Sequence, residues 1–173
     1  MKRSLGPYCQ FLLYVFCVFG TQILHAQSYC TPNNSTGCSV GDDIDDVIIG
    51  TFQDLNTGCS SNNYANKISD TIFIQQATTT SVSFTSNYTS QYFAIWVDFN
   101  GDGDFSDSGE HLWSSPTNAW SSTTGSITVP STVSSGSYRL RVRSNFSAVI
   151  TASQSCSSFT YGETHDYTVG IGL

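Results

Sequence analysis

Apolar residues along this chain recur mostly at every second position, in short runs separated by Ser, Thr, Asn and Gly. That alternation is the period of a half-buried strand. It predicts strands at Val47–Phe52, Thr71–Gln75, Ser81–Thr85, His111–Trp113, Ser126–Val129, Ser137–Arg143 and Asp166–Ile171. Tyr92–Phe99 is apolar on both faces, with Phe93, Ile95, Val97 and Phe99 on one and Tyr92, Ala94 and Trp96 on the other. It is predicted to be an interior strand covered on both sides. Pro130 ends the strand before it, because it lacks the donor a ladder needs. No helical period of useful length occurs, and Lys, Glu, Ala and Leu are scarce after the first 26 residues. Short strands with polar turns predict an all-β fold, an antiparallel β-sandwich of jelly-roll or immunoglobulin-like type with about eight strands.

The N-terminus breaks this pattern. Lys2 and Arg3 precede an apolar run from Phe11 to Phe19, and Leu24-His25-Ala26 leads into Gln27. This is the order of a secretory signal peptide, expected at residues 1–26 with cleavage after Ala26. The run is shorter than the ~20 residues a bilayer span needs. Neither Cys17 nor Cys30 follows a small-residue lipobox, so no lipid anchor is expected. Residues 27–173 are then one exported domain of 147 residues, long enough for a proper core. The signal takes two of the six basic residues and none of the thirteen acidic ones, leaving a net charge of −9. Such a surface argues against nucleic acid or anionic lipid as a partner and suits a secreted protein that attracts cations; no second apolar stretch occurs, so no membrane insertion is expected.

Cys9 and Cys17 leave with the signal, so Cys30, Cys38, Cys59 and Cys156 remain. An even number in an exported chain reads as two disulfides. A zinc site would want a close Cys-x-x-Cys pair, and none occurs. Three pairings are open, and each closes one long loop through Cys156.

Charge then singles out Asp98 to Glu110. Asp98, Asn100 and Asp102 fall at alternate positions, Gly103 follows, and Asp104, Asp107 and Glu110 continue the run without a Lys or Arg. The first half matches the Asp-x-Asn-x-Asp-Gly wrap of a calcium loop, while Glu110 falls one place late for the closing ligand of an EF-hand. The expectation is a structural Ca²⁺ held by Asp98, Asn100, Asp102, Asp104, Asp107 and Glu110, between two strands. The alternative is a polar hairpin turn, since Asp and Gly both serve turns. A second concentration of charge lies on one face of a predicted strand: Arg139, Arg141 and Arg143, opposite Tyr138, Leu140 and Val142. Pairing with the carboxylates of an acidic domain is expected there, with an anion-binding stripe as the alternative.

The tail Tyr161-Gly162-Glu163-Thr164-His165-Asp166-Tyr167 resembles the signature of the GEVED domain, named for its Gly-Glu-Val-Glu-Asp-Tyr motif. Tyr29-Cys30, Gly37-Cys38-Ser39, Gly58-Cys59, the Ile95–Asn100 strand end with its acidic loop, Val129-Pro130 and the Arg139–Arg143 strand match in order. The resemblance implies a secreted β-sandwich module common in Bacteroidetes, often accompanying peptidases, adhesion modules and a type IX sorting domain, with no catalytic activity of its own. It marks Gly162, Glu163, Asp166 and Tyr167 as motif residues. Thr164 and His165 stand where the family has Val and Glu. Glu163 and Asp166 are expected to pair with the arginine face or to join the acidic loop's cation. The chain ends at Leu173 directly after the motif, as expected of either a fragment or a single-module protein.

The functional expectation is therefore a non-catalytic, calcium-binding extracellular module with a structural, adhesive or ligand-binding role and an unidentified glycan or protein partner. A carbohydrate-binding module is one alternative, with Trp113 and Trp120 as stacking platforms. A hydrolase is the weaker one. Its acids cluster in one turn rather than across a cleft, only His111 and His165 remain after the signal, and no Gly-x-Ser-x-Gly elbow occurs.

Overall fold

The computed structural model describes residues 28–117 and 121–172; the expected signal peptide and Trp120 lie outside them. Nine strands occur among the described residues: β1 (Asp46–Ile49), β2 (Phe52–Asp54), β3 (Tyr64–Gln75), β4 (Thr79–Thr85), β5 (Gln91–Asp98), β6 (His111–Ser114), β7 (Ser122–Thr128), β8 (Gly136–Phe146) and β9 (Thr164–Gly172). Two single-turn 3-10 helices, Ser61–Asn63 and Ala152–Gln154, sit in the connections. A four-stranded sheet, β2-β1-β4-β7, faces a five-stranded sheet, β3-β9-β8-β5-β6. The all-β sandwich expected from alternation is the fold.

Alternation predicts faces because side chains two apart share one side of a strand. Val47 and Ile49 of β1, Val82 and Phe84 of β4, Phe93, Ile95 and Val97 of β5, Leu140 and Val142 of β8, and Tyr167, Val169 and Ile171 of β9 all point between the sheets. The opposite face of β5 is covered as expected. Ala94 and Trp96 pack with Phe105 and Ile150 in a second, smaller cluster outside the five-stranded sheet, and the Trp96 indole donates to the Ala152 carbonyl at 2.9 Å.

Three details differ from the sequence expectations. The run Val47–Phe52 is two strands, because Gly50 (φ 59°) opens a two-residue hairpin turn that pairs Ile49 with Phe52. β3 begins seven residues before the expected Thr71, in a polar stretch whose burial does not alternate. One pair is not antiparallel: β3 runs parallel to β9 from Tyr64↔Thr164 to Gln75↔Gly172, with an irregularity between Lys67 and Thr71. The direction of that pair is set by which sheet edge stands open where the chain crosses, which local sequence does not encode.

Both disulfides form, as Cys30–Cys156 and Cys38–Cys59. The first ties the N-terminal segment to the β8–β9 connection across the outer face of β8.

Candidate functional site

Asp98 ends β5 and Glu110 precedes β6, so the acidic loop hangs between two hydrogen-bonded neighbours of one sheet. Both end residues are buried and turned to the backbone. Asp98 Oδ1 accepts from the Gly101 N–H at 2.6 Å, and its Oδ2 accepts from the Gly103 N–H at 3.0 Å and the Tyr29 hydroxyl at 2.7 Å. Glu110 Oε1 accepts from the Phe99 N–H at 3.0 Å and Oε2 from the Asp107 N–H at 3.3 Å. Burial pushes the Glu110 carboxyl up; the two backbone bonds oppose the shift, and the charges of Asp98 and Asp107 add to it.

Between these anchors three polar side chains, Asn100, Asp102 and Asp104, fold onto the backbone two residues on. Asn100 Oδ1 accepts from the Asp102 N–H, Asp102 Oδ1 from the Asp104 N–H, and Asp104 Oδ1 from the N–H and hydroxyl of Ser106. These Asx turns explain why Asp, Asn and Gly alternate here. Gly101 and Gly103 take positive φ (74° and 97°), which lets the chain curl about the Asp98 carboxylate. Asn100 Nδ2 then donates to Asp102 Oδ2 at 3.0 Å and to Asp107 Oδ2 at 2.5 Å. Of the six residues expected to hold a cation, the fold thus brings Asn100, Asp102 and Asp107 together at the exposed tip. Asp104 is turned to Ser106, and Asp98 and Glu110 anchor the loop. Among the described residues no three His, Cys, Asp or Glu side chains converge as a ligand set.

Behind the loop lies a ladder of arginines. Arg139, Arg141 and Arg143 share the outer face of β8, and each guanidinium lies over an aromatic ring: Tyr29 at 4.4 Å, Phe105 at 4.7 Å and Phe159 at 4.2 Å. Phe105 belongs to the acidic loop, so the loop and the ladder are one packed unit. Arg141 grips Asp166 bidentately, Nε to Oδ1 at 2.7 Å and a terminal nitrogen to Oδ2 at 2.8 Å. Arg139 reaches Asp166 Oδ2 at 3.4 Å, and the Tyr64 hydroxyl donates to the same oxygen at 2.8 Å. Burial and the Asp166 charge push the Tyr64 phenol up to about 12. Arg143 donates to the carbonyls of Gln154 and Ser157 and to the Thr164 hydroxyl. With Arg141 and Arg143 fully buried, the face is a covered structural layer and not an anion-binding stripe.

Asp166 therefore pairs with the arginine face as expected, and Glu163 does not. Glu163 accepts from the Ile44 N–H at 2.8 Å and the Ser60 N–H at 2.7 Å, stapling the segment before β1 and the Cys38–Cys59 region to the start of β9. The reason is position: Asp166 lies within β9 on the face turned to the arginines, whereas Glu163 stands one residue before the strand begins. His165 Nε2 lies 3.2 Å from Glu163 Oε1, close but not aligned as a hydrogen bond, and its Nδ1 meets the Tyr167 hydroxyl at 3.0 Å. Tyr167 donates to Asp54, which takes Lys67 at 2.6 Å. Burial pushes the Glu163 carboxyl up, but His165 and the Ser60 and Ile44 donors outweigh it and hold the group below its usual range.

Trp113 is not a stacking platform. Its ring packs inward on Phe84 (centroids 5.8 Å apart, planes at 26°) and lies so close over Gly125 that a Cβ there would be 2.5 Å away. Other aromatics gather elsewhere: the exposed Tyr88 and the half-buried Tyr161 both meet the half-buried Phe146, a grouping that sequence pattern did not predict. The family model of the GEVED domain matches residues 92–170, a span from β5 into β9 that holds the acidic loop, the arginine strand and the Gly162–Tyr167 motif. No curated protein matches the chain.

Proposed function

We propose that this protein, whose residues 92–170 match the family model of the GEVED domain, is a secreted, non-catalytic β-sandwich module of the extracellular space, stiffened by Ca²⁺ at its acidic loop and serving a structural or adhesive, ligand-binding role. Two disulfides suit an oxidising compartment, and among the described residues no helix is long and apolar enough to cross a membrane.

The observation that carries the calcium reading is the Asn100 side chain, a neutral amide bridging the carboxylates of Asp102 and Asp107 in a loop of five acids without a base. An amide offsets little of that repulsion. A divalent hard cation offsets far more of it, with Asn100, Asp102 and Asp107 as its holders and Asp104 alongside. The residual histidines support the non-catalytic reading. His111 Nε2 meets Ser114 Oγ at 2.8 Å, but that hydroxyl donates to the Ile150 carbonyl at 2.6 Å, and His165 is fully buried.

The test is a thermal melt of the protein in EGTA and in millimolar Ca²⁺. Extracellular sites bind at roughly 10⁻⁴–10⁻³ M. One millimolar Ca²⁺, about one to ten times such a Kd, adds about 0.4–1.4 kcal/mol, a rise on the order of 1–5 °C for a domain of this size. The combined D102N and D107N variant should lose that rise. A native melt indifferent to both additions sinks the calcium reading.

A further inference from the structure

We propose that the groove at one end of the sandwich, framed by Tyr88, Phe146 and Tyr161, binds an uncharged oligosaccharide. The proposal rests on the non-catalytic ligand-binding role above but not on the calcium. Tyr88 comes from the β4–β5 connection, Phe146 is the last residue of β8, and Tyr161 lies just before β9. Three separate segments thus deliver rings to one place. Phe146 forms the floor, with Tyr88 tilted against it (5.8 Å, 57°) and Tyr161 edge-on (5.7 Å, 77°). Tyr88 is 48% exposed and neighbouring Val40 59%.

Left-handed backbone flanks each of these rings. Ser90 (φ 62°), Ser147 (φ 61°) and Gly162 (φ 123°) each stand within two residues of one ring, and the Ser147 N–H donates to the Ser90 carbonyl at 2.8 Å. A serine in the left-handed region is strained, and strain of this kind clusters where a surface is shaped for a ligand.

The lining chooses the ligand. Two clefts, of about 480 and 180 Å³, share Phe146 and Tyr161. The larger falls within the roughly 300–1,000 Å³ of ordinary ligand sites. Its polar groups are neutral amides and hydroxyls: Asn145, Gln154, Ser158 and Thr160. The smaller holds one carboxylate, Asp42. No Lys or Arg lines either cleft, and the described cations are engaged elsewhere: Lys67 on Asp54, Arg139 and Arg141 on Asp166, Arg143 on carbonyls. Phosphate, sulfate and uronate groups therefore find no countercharge. β8 is flanked by β9 and β5, so no strand edge is open at the rings for an extended peptide. A pyranose fits: its C–H face lies on an aromatic ring, and its rim of hydroxyls supplies the donors that amide and carboxylate oxygens accept.

Affinity electrophoresis of the full protein decides it, in gels containing laminarin, yeast mannan, galactomannan or arabinoxylan, with polygalacturonate and heparin as acidic controls. At least one neutral polysaccharide should retard the native protein, in EGTA as well as in Ca²⁺. Y88A and Y161A should each weaken that retardation about tenfold, with F73A, an exposed ring on β3, leaving it unchanged. No retardation by any neutral polysaccharide, retardation by the acidic ones alone, or undiminished binding by Y88A and Y161A would overturn the proposal. Because the calcium test reads melting and this one reads mobility, either can fail without the other.

Discussion

Arg141 and Asp166 sit directly opposite each other on β8 and β9, joined by two parallel hydrogen bonds of 2.7 and 2.8 Å with neither side chain exposed. The pair holds the outer layer to the sheet: the same guanidinium donates to the Cys30 and Ser155 carbonyls and lies over Phe105 of the acidic loop. Removing one partner leaves the other charge buried and unmatched, which costs about 3–5 kcal/mol. D166N should therefore lower the urea midpoint severely, while a surface change such as D70N moves it little. Urea unfolding followed by tryptophan fluorescence measures both.

Glu163 makes the acid limb of stability. Its carboxyl titrates below its usual range in the fold, so the folded state binds its proton less readily than the unfolded chain. The contribution is complete above the ordinary glutamate value of about 4.3 and is lost as pH falls through the lower folded value. E163Q should flatten the decline of melting temperature on acidification and lower the plateau near neutrality. A parallel pair of curves for native and variant protein counts against the staple to Ile44 and Ser60.

Glu110 has the opposite sign. Its folded value is raised, so the fold holds that proton more tightly, and stability falls as pH rises from the ordinary value through the raised one. E110Q keeps an acceptor for the Phe99 N–H and removes the repulsion from Asp98 and Asp107. In EGTA it should melt above the native protein, and calorimetry at neutral pH reads the difference.

The two disulfides should contribute unequally. Cys30–Cys156 spans 126 residues and Cys38–Cys59 spans 21. In the chain-entropy model the first stabilises by roughly 5 kcal/mol and the second by about 3. Paired Cys→Ser variants, compared by denaturant unfolding, should rank in that order.

Gly162 has no substitute. Its φ is 123°, and a Cβ there would lie 2.2 Å from the Ser144 carbonyl oxygen. G162A forces β8 and the entry to β9 apart, a loss of roughly 2–4 kcal/mol. Gly58 also has a positive φ but open space around it, so G58A should cost only about 1–2 kcal/mol. Thermal melts of the two variants separate the steric cost from the conformational one.

Alternation in the sequence determined the β class, most strands, the two-sided burial of β5 and the common face of Arg139, Arg141 and Arg143, because period two is written residue by residue. The Asp98–Glu110 loop was legible for the same local reason: Asx turns and positive-φ glycines are short-range devices. The tertiary structure alone decided which cysteines pair, that β3 runs parallel to β9, that Glu163 staples backbone while Asp166 takes the arginines, and that Trp113 turns inward while Tyr88, Phe146 and Tyr161 meet at one end. Each of these joins residues far apart in the chain. Local preference is blind to such contacts, and only the closing of two sheets on one core brings them within reach.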